Sequence, residues 1–404
     1  MTIKPDADVI IVGGGLAGAT LALLLAGQGL RCVLLEERNV ETTSGRTDPR
    51  ALAITRASEN ILRSARAWEY LPQDRIGYFR QMHVWDENGT GDIKFDSAEL
   101  CESTLGYIIE QTVLEQALRA ASNKQDLIKY YQPATLSGLK LDGPLVRAQL
   151  EDGTELTSHL IIGADGARSR LRTLAGIACP VHDYHQQAVA CVANTEKAHD
   201  AVARQRFLTT GPLAFLPMAD PHQCGIVWST SPDHAKSLIK MNEDSFCRAL
   251  ADAFIHTLGD IVSCGPRACF PLQHSQAEHY CQPRLALIGD AAHTAHPLAG
   301  QGANMGLLDA ATLAEVLIEA RTMNKDIGAY PVLRRYERWR RGENFIMIKV
   351  LQGLKCLFES RLASVRHLRN IGLDVTDMLT PVKYSIMRHA MGLSGDLPSF
   401  ARHQ

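Results

Sequence analysis

No stretch of this chain approaches the roughly 18 consecutive apolar residues that a membrane-spanning helix needs, so no such helix is expected. Charge of one sign is also missing. The chain has 42 Lys and Arg against 44 Asp and Glu, a formal net charge of −2, which gives no overall attraction to nucleic acid. There is no C-x-x-C among the 10 cysteines. The tightest spacing, Cys264 and Cys269, spans Pro266 and reads as coincidence, so reduced and mostly buried thiols are expected. No H-E-x-x-H marks a metal site. The opening MTIKPDADVIIVGGG lacks the architecture of a secretory signal and runs straight into a strand pattern, so a cytoplasmic protein is expected. Internal repeats and low-complexity tracts are absent.

What the chain does have is size, with the hydrophobic share to match. Its 404 residues, 46% of them hydrophobic, exceed one typical domain and can bury a large core. Residues 9–14, VIIVGG, form a continuous apolar run rich in β-branched side chains, the pattern of a strand covered on both faces of a parallel sheet. Residues 16–28 turn helical with Leu21, Leu24 and Leu25 on one side, and 32–36, CVLLE, supply a second buried strand. Helices are expected around 54–67 and 111–121. Residues 81–95 and 127–162 alternate apolar and polar between turn signals such as ENGTG (87–91) and EDG (151–153) and read as antiparallel strands. Residues 180–285 hold further short strands and one helix near 243–258. Buried strands return at 160–164 and 284–289, and helices dominate after 303.

The run Gly13-Gly14-Gly15-Leu16-Ala17-Gly18 lies between the first strand and the first helix and matches G-x-G-x-x-G. The first glycine permits the tight turn, the second lets backbone approach a diphosphate, and the third lets helix and strand pack closely. The helix start then offers free N–H groups to phosphate oxygens. Glu36 ends the second strand, where a carboxylate accepts from ribose hydroxyls. Dinucleotide binding is therefore expected at Gly13, Gly15, Leu16, Ala17, Gly18 and Glu36. The chain breaks into meander-like strands before a third parallel strand is obvious, which favours the FAD-binding variant of the fold over a simple nicotinamide dehydrogenase.

Two later segments repeat the theme of a buried strand ending at glycine and aspartate: LIIGADGARSRLR (160–172) and GDAAHTAHPLAGQGANMGLLDA (289–310). With the N-terminal glycines they make three fingerprints in order. On these the chain resembles the single-component flavoprotein aromatic hydroxylases of the para-hydroxybenzoate hydroxylase superfamily. The tail YERWRRGENFIMIKVLQGLKCLFES and RALAIT near the front resemble its ubiquinone-biosynthesis branch of FAD-dependent hydroxylases. The resemblance implies that Asp290 holds the ribityl hydroxyls of FAD and that Pro297 lies beside the isoalloxazine ring. It also implies that Gly300, Gly302, Ala303 and Asn304 bring backbone N–H groups to the pyrimidine edge. Asp165, with Arg168 and Ser169, is implied for FAD and NAD(P)H, while Arg50 in DPRALAI and Gln111 in IIEQTVLEQAL match positions that approach the cofactor. His293 and His296, three apart, tempt a zinc reading. No third ligand has persuasive spacing, and packing or hydrogen bonding is expected of both.

The implied fold class is α/β: an FAD-binding Rossmann-like domain of the para-hydroxybenzoate hydroxylase type with an inserted antiparallel-sheet substrate domain and a helical C-terminal region. The boundaries read as 1–75, 108–175 and 284–330 for the discontinuous FAD domain, 76–107 and 176–283 for the substrate domain, and 331–404 for the C-terminal region. The implied function is an aromatic-ring monooxygenase that uses NAD(P)H and O2, through a flavin C4a-hydroperoxide, on a polyprenylated phenol. No general base and no metal is named. Leu213, Phe215, Leu216, Pro217 and Trp228 lie on strand-like runs that either line an apolar channel for that substrate or form ordinary core. Two alternatives stay open: another flavoenzyme of this fold, a polyprenyl reductase or a halogenase, and a non-catalytic flavin-binding scaffold. The four isolated tryptophans, with no W-x-W-x-I-P, speak against a halogenase.

From residue 334 onward, 13 Lys or Arg stand against 6 Asp or Glu. Met347, Val350, Leu351, Leu354, Leu357 and Phe358 form a helical apolar stripe beside Lys349, Gln352, Lys355 and Glu359. Such a basic amphipathic helix packs on its own protein, on a partner in a ubiquinone-biosynthesis complex, or peripherally on a membrane surface.

Overall fold

A computed structural model describes residues 4–38, 49–87, 91–141, 143–295, 300–359 and 379–402. Its first layer is a six-stranded sheet ordered Cys281–Gln282, Leu285–Leu287, Leu160–Gly163, Val9–Val12, Cys32–Leu35, Ile128–Tyr131, parallel except for the first strand. The three strands that carry the glycine-aspartate motifs are immediate neighbours. Their register is level, with Val12 opposite Gly163 and Gly163 opposite Leu287. All three are buried end to end, as their unbroken apolar runs require. Helix Leu16–Ala26 is buried from Gly18 to Ala26 because it packs on this sheet and against helices Gln111–Ser122 and Gln301–Thr322. An apolar surface on every side is what such a central helix needs.

The second layer is a nine-stranded sheet. Its main path runs His293–Thr294, Ala268–Gln276, Val181–Thr195, Gln223–Thr230, Gly211–Pro217, Val202–Leu208, Gln81–Asp86, Asp92–Asp96, with Ile261–Cys264 paired to Val181–Thr195. Gln81–Asp86 joins Val202–Leu208 in parallel, and this closes the two separated pieces of the inserted region into one sheet. A small sheet, Ala51–Thr55, Gly106–Glu110 and Gly77–Phe79, lies between the layers. Gly77–Phe79 therefore pairs with Gly106–Glu110, a strand that straddles the boundary expected at 107/108, and not with the nine-stranded sheet.

Two sequence expectations change. The helix expected near 243–258 is Glu243–Ala253, and a second helix that was not expected, Pro232–Lys240, precedes it; each is started by a side-chain cap, Ser231 on the N–H of His234 and Asn242 on that of Ser245. Within 127–162, Leu136–Lys140, Val146–Leu150 and Glu155–Ser158 form the expected antiparallel meander, but Ile128–Tyr131 is the third parallel strand. It was hard to read because it lies at the sheet edge and is only half-buried. Cys264 lies not near Cys269 but with its sulfur 3.4 Å from that of Cys247, and all ten cysteines are free thiols.

The C-terminal stripe splits. Leu351 and Phe358 are buried against Val84, Ile93 and Phe207, with Met347 packed beside them and the rings of Phe207 and Phe358 stacked 3.7 Å apart. Val350 and Leu357 point outward with Phe345 and Ile346. The side chain of Leu354 lies outside the described residues.

One buried ionic network ties the C-terminal helix Tyr330–Glu359 to the third motif. Asp309, wholly buried in Gln301–Thr322, accepts from the Nε of Arg340 at 2.8 Å, from Asn344 at 3.1 Å and from the backbone N–H of Gly289 at 3.0 Å. Its other neighbour is His293 Nε2, at 2.5 Å. Burial alone would raise the Asp309 carboxyl, but the charges and hydrogen bonds of His293 and Arg340 outweigh it and hold it at about 2.

Asp309→Asn leaves the buried Arg340 facing a neutral partner, so a loss of about 3–5 kcal/mol in unfolding free energy is expected, measured by urea denaturation at fixed FAD. Because the folded-state pKa of Asp309 lies below its unfolded value near 3.8, its contribution of about 2 kcal/mol is present above about pH 4 and fades as pH falls toward 2. The gap between wild type and variant should narrow over that interval and stay constant above it.

Candidate active site

The level ends of the three motif strands deliver their glycines to one place. Two of these glycines are demanded by the protein itself. Gly13 has φ +103°, and a Cβ there would lie 2.3 Å from the carbonyl oxygen of Ala164, while one on Gly18 would lie 2.0 Å from that of Gly13. Gly15 is different. It is the N-cap of Leu16–Ala26, has no side-chain cap, and faces open space where a Cβ would go. The start of Gln301–Thr322 repeats part of this arrangement. Here the N-cap Gly300 is fixed by the protein, with φ +62° and the Ala53 Cβ 2.9 Å from where its own Cβ would lie, but the space over Gly302 in the first turn is open. Two uncapped helix starts with empty room above them, where a glycine answers to nothing in the protein, fit a bound dinucleotide. Leu16 and Ala17 form the first turn of the first helix, and Ala17 packs where that helix crosses Gly289 and Gly306. Glu36 lies at the rim and accepts from the Gly14 N–H at 3.0 Å.

Asp290 follows the third strand and opens into a cavity together with Arg50 and Gly300. Protein crowds it from the other sides, and this burial pushes its carboxyl up from the usual range; His293 and Arg50 pull it back and Asp309 pushes it further. Arg50 lies over the Phe270 ring at 5.1 Å, and its carbonyl accepts from the Gln111 N–H at 3.0 Å, which brings both expected residues to one edge. The side chain of Gln111 bonds Glu115.

Asp165 and Asn304 are partly committed to the protein. Asp165 Oδ2 accepts from the N–H groups of Arg170 and Leu171 at 2.7 and 3.0 Å, which caps helix Arg170–Leu174, while its buried Oδ1 has no partner among the described residues. Ser169 is buried as a cap on Arg172, and Arg168 is exposed. Asn304 bonds the N–H of Thr55 at 3.0 Å and the carbonyls of Ala53 and Gly300 at 2.8 and 3.0 Å, pinning strand Ala51–Thr55 to the helix start. Its side chain is thus spent on the protein and its N–H closes the first helical turn on Gly300, so the free N–H groups at this helix start are those up to Ala303. His296 and Pro297 lie outside the described residues.

The cavity, about 420 Å³, lies between the nine-stranded sheet and strand Ala51–Thr55. Strand alternation builds it. On one face Ala188, Ala190, Ala203, Ala214 and Gly225 present almost no side chain; on the other Val189, Cys191, Leu213, Phe215, Ile226 and Trp228 pack against helices Pro232–Lys240 and Glu243–Ala253. This corrects the sequence assignment of substrate contacts. Phe215, stacked on Phe254 with centroids 3.8 Å apart, and Trp228 belong to that second core, and Pro217 shares their face of the strand. Of the five residues read as channel or core, only Leu216 lines the cavity, joined by Phe79, Met82, Phe95, Met387 and Met391. The missed signal was the small-residue parity of these strands; large apolar residues drew the assignment to the wrong face. The Asp309–His293–Arg340 network was missed too, because spacing alone does not show that the helices bring those charges together.

Comparison with known proteins agrees with this geometry. A family model described as an FAD binding domain matches residues 6–341. The chain is 35% identical to the 3-demethoxyubiquinol 3-hydroxylase of Escherichia coli over 97% of its own length and 100% of that protein. It is 34% identical to the mitochondrial ubiquinone biosynthesis monooxygenase COQ6 of Homo sapiens, covering 95% of this chain and 92% of that one. The crystal structure of p-nitrophenol 4-monooxygenase from Pseudomonas putida superposes with a TM-score of 0.79 at 20% identity, over 96% and 98% of the two chains, and shows the same fold.

The two classes of glycine should separate experimentally. Gly302→Ala fills open space in a helix, so the apoprotein should gain up to about 1 kcal/mol in thermal or urea unfolding while FAD affinity falls at least about tenfold. Gly13→Ala should instead lose several kcal/mol of apoprotein stability, because its Cβ has nowhere to go. Equal behaviour of the two variants would contradict the division.

Proposed function

The chain belongs to the FAD-binding-domain family and, within it, to the hydroxylases of ubiquinone biosynthesis, and from that premise we propose that its cavity takes a polyprenylated phenol for ring hydroxylation. It is an FAD-dependent monooxygenase. The observation that carries the substrate reading is the cavity: apolar and floored with alanine, it opens onto Asp290, Arg50 and Gly300, where the flavin end of the cofactor is expected. An isoprenoid tail finds apolar wall, and the ring finds a flat floor next to the redox centre.

FAD, when bound, supplies the redox chemistry: NAD(P)H is oxidised, one oxygen atom of O2 replaces a ring hydrogen as hydroxyl, and the other leaves as water. The chain supplies position. Asp290 and Glu36 accept from sugar hydroxyls, and the open N–H groups at Gly15 and at Gly300–Gly302 meet anionic oxygens. The alignment of these positive helix ends favours negative charge next to the cavity. Strand Ala51–Thr55, fixed by Asn304, forms one wall of the cavity.

For access to such a substrate, contact with a membrane surface is supported by the outward apolar set Phe345, Ile346 and Val350 beside exposed Arg338, Arg341 and Lys349. Among the described residues no helix is long and apolar enough to cross a membrane. Wild type is expected to float with anionic vesicles at low salt, and Ile346→Ser with Val350→Ser to float less; wild type remaining with the soluble fraction refutes the contact.

The reaction itself is tested with purified yellow protein, a demethoxyubiquinol bearing a short isoprenoid tail, and NADH or NADPH. Phenol-dependent O2 uptake and a product heavier by one oxygen atom are expected. NAD(P)H oxidation indifferent to the phenol, or a reaction that proceeds without O2, rejects the reading. Asp290→Ala should purify with little or no flavin.

A further inference from the structure

The cavity wall is apolar with few exceptions, and most of those are already engaged. Arg204 donates to the carbonyls of His199 and Val202, Arg50 lies over Phe270, and Thr55 caps the helix that follows it. Asp290 is assigned to the cofactor and Gln301 has a partner elsewhere, which leaves two polar side chains. Gln205, 8% exposed, and Ser229, 2% exposed, line the cavity, and among the described residues neither side chain has a hydrogen-bond partner. Both lie on the small-residue face of the sheet: Gln205 pairs with Ala214, which pairs with Val227, and Ser229 follows two residues on. Buried carboxamides and hydroxyls in folded proteins are almost always satisfied, because each one left bare costs free energy. Core packing needs neither group here; alanine or leucine would complete the wall.

Resting on the proposed substrate class, we propose that Gln205 and Ser229 are the residues that orient the ring, by bonding its oxygen substituents. The register sets the scale. Two inter-strand steps and a two-residue rise separate their Cα atoms by roughly 12 Å, so a substituted phenol lying over Ala214 meets both side chains at its rim. The carboxamide can donate to and accept from a phenol hydroxyl, and the serine hydroxyl can donate to a second ring oxygen. With the apolar tail held along the wall, two polar contacts at fixed positions determine which ring carbon faces the cofactor. A purely apolar cavity would leave the ring free to rotate in its plane.

The test uses flavin-loaded wild type, Gln205→Leu and Ser229→Ala, with two probes: 2-geranyl-6-methoxyphenol and geranylbenzene, which shares the tail and ring but has no oxygen. Binding is read from the change in flavin absorbance. Each variant is expected to bind the phenol roughly five- to tenfold more weakly, to bind geranylbenzene as well as wild type or better, and to keep its flavin content. A smaller fraction of the NAD(P)H consumed should end in hydroxylated product. Equal weakening for both probes would mean that these residues only fill space, and unchanged phenol affinity in both variants would mean that they do not touch it; either result overturns the assignment. A flavin-loaded wild type that takes neither probe refutes the substrate class itself, and this assignment with it.

Discussion

Everything at this site depends on three strands ending level. Val12, Gly163 and Leu287 stand side by side in one parallel sheet, so segments separated by more than a hundred residues release their turns at the same height. Hydrogen-bonded register leaves no freedom here, since a slip would displace a turn by a full residue rise and break the convergence. The crevice outside the carboxyl ends of a parallel sheet is where such folds bind ligands. In this chain the Asp309 network secures that crevice from behind, because its carboxylate holds the Gly289 N–H and the C-terminal helix through Arg340.

The parallel sheet and its motifs were legible from the sequence because their signals are local and redundant. Unbroken apolar runs, followed at once by glycine, mean a buried strand and a close approach, whatever the rest of the chain does. Ile128–Tyr131 escaped for the opposite reason: a half-buried edge strand carries no such run. Helix Pro232–Lys240 escaped as well, because it is short and its start rests on one capping side chain, Ser231, that a periodicity count passes over.

The substrate side was less legible. A strand pattern shows that alternate residues face opposite ways but not which way is inward when both faces are covered. Here both are, one by helices and the other by the cavity, and the larger side chains went to the helices. The C-terminal helix posed the same problem in another period. Leu351 and Phe358 were read together with Val350 and Leu357, yet the rotation of about 100° between neighbouring helical residues puts the first pair against the sheet and the second on the exposed side. Long-range contact, not local pattern, decides such cases.

The alanine floor has an evolutionary consequence. Enlarging one of those residues adds atoms to a void instead of crowding a packed interior, so the usual penalty for growth in a core is largely absent. Lineages can therefore drift in the girth of molecule they accept, one methyl group at a time, while the redox machinery in the neighbouring sheet stays untouched.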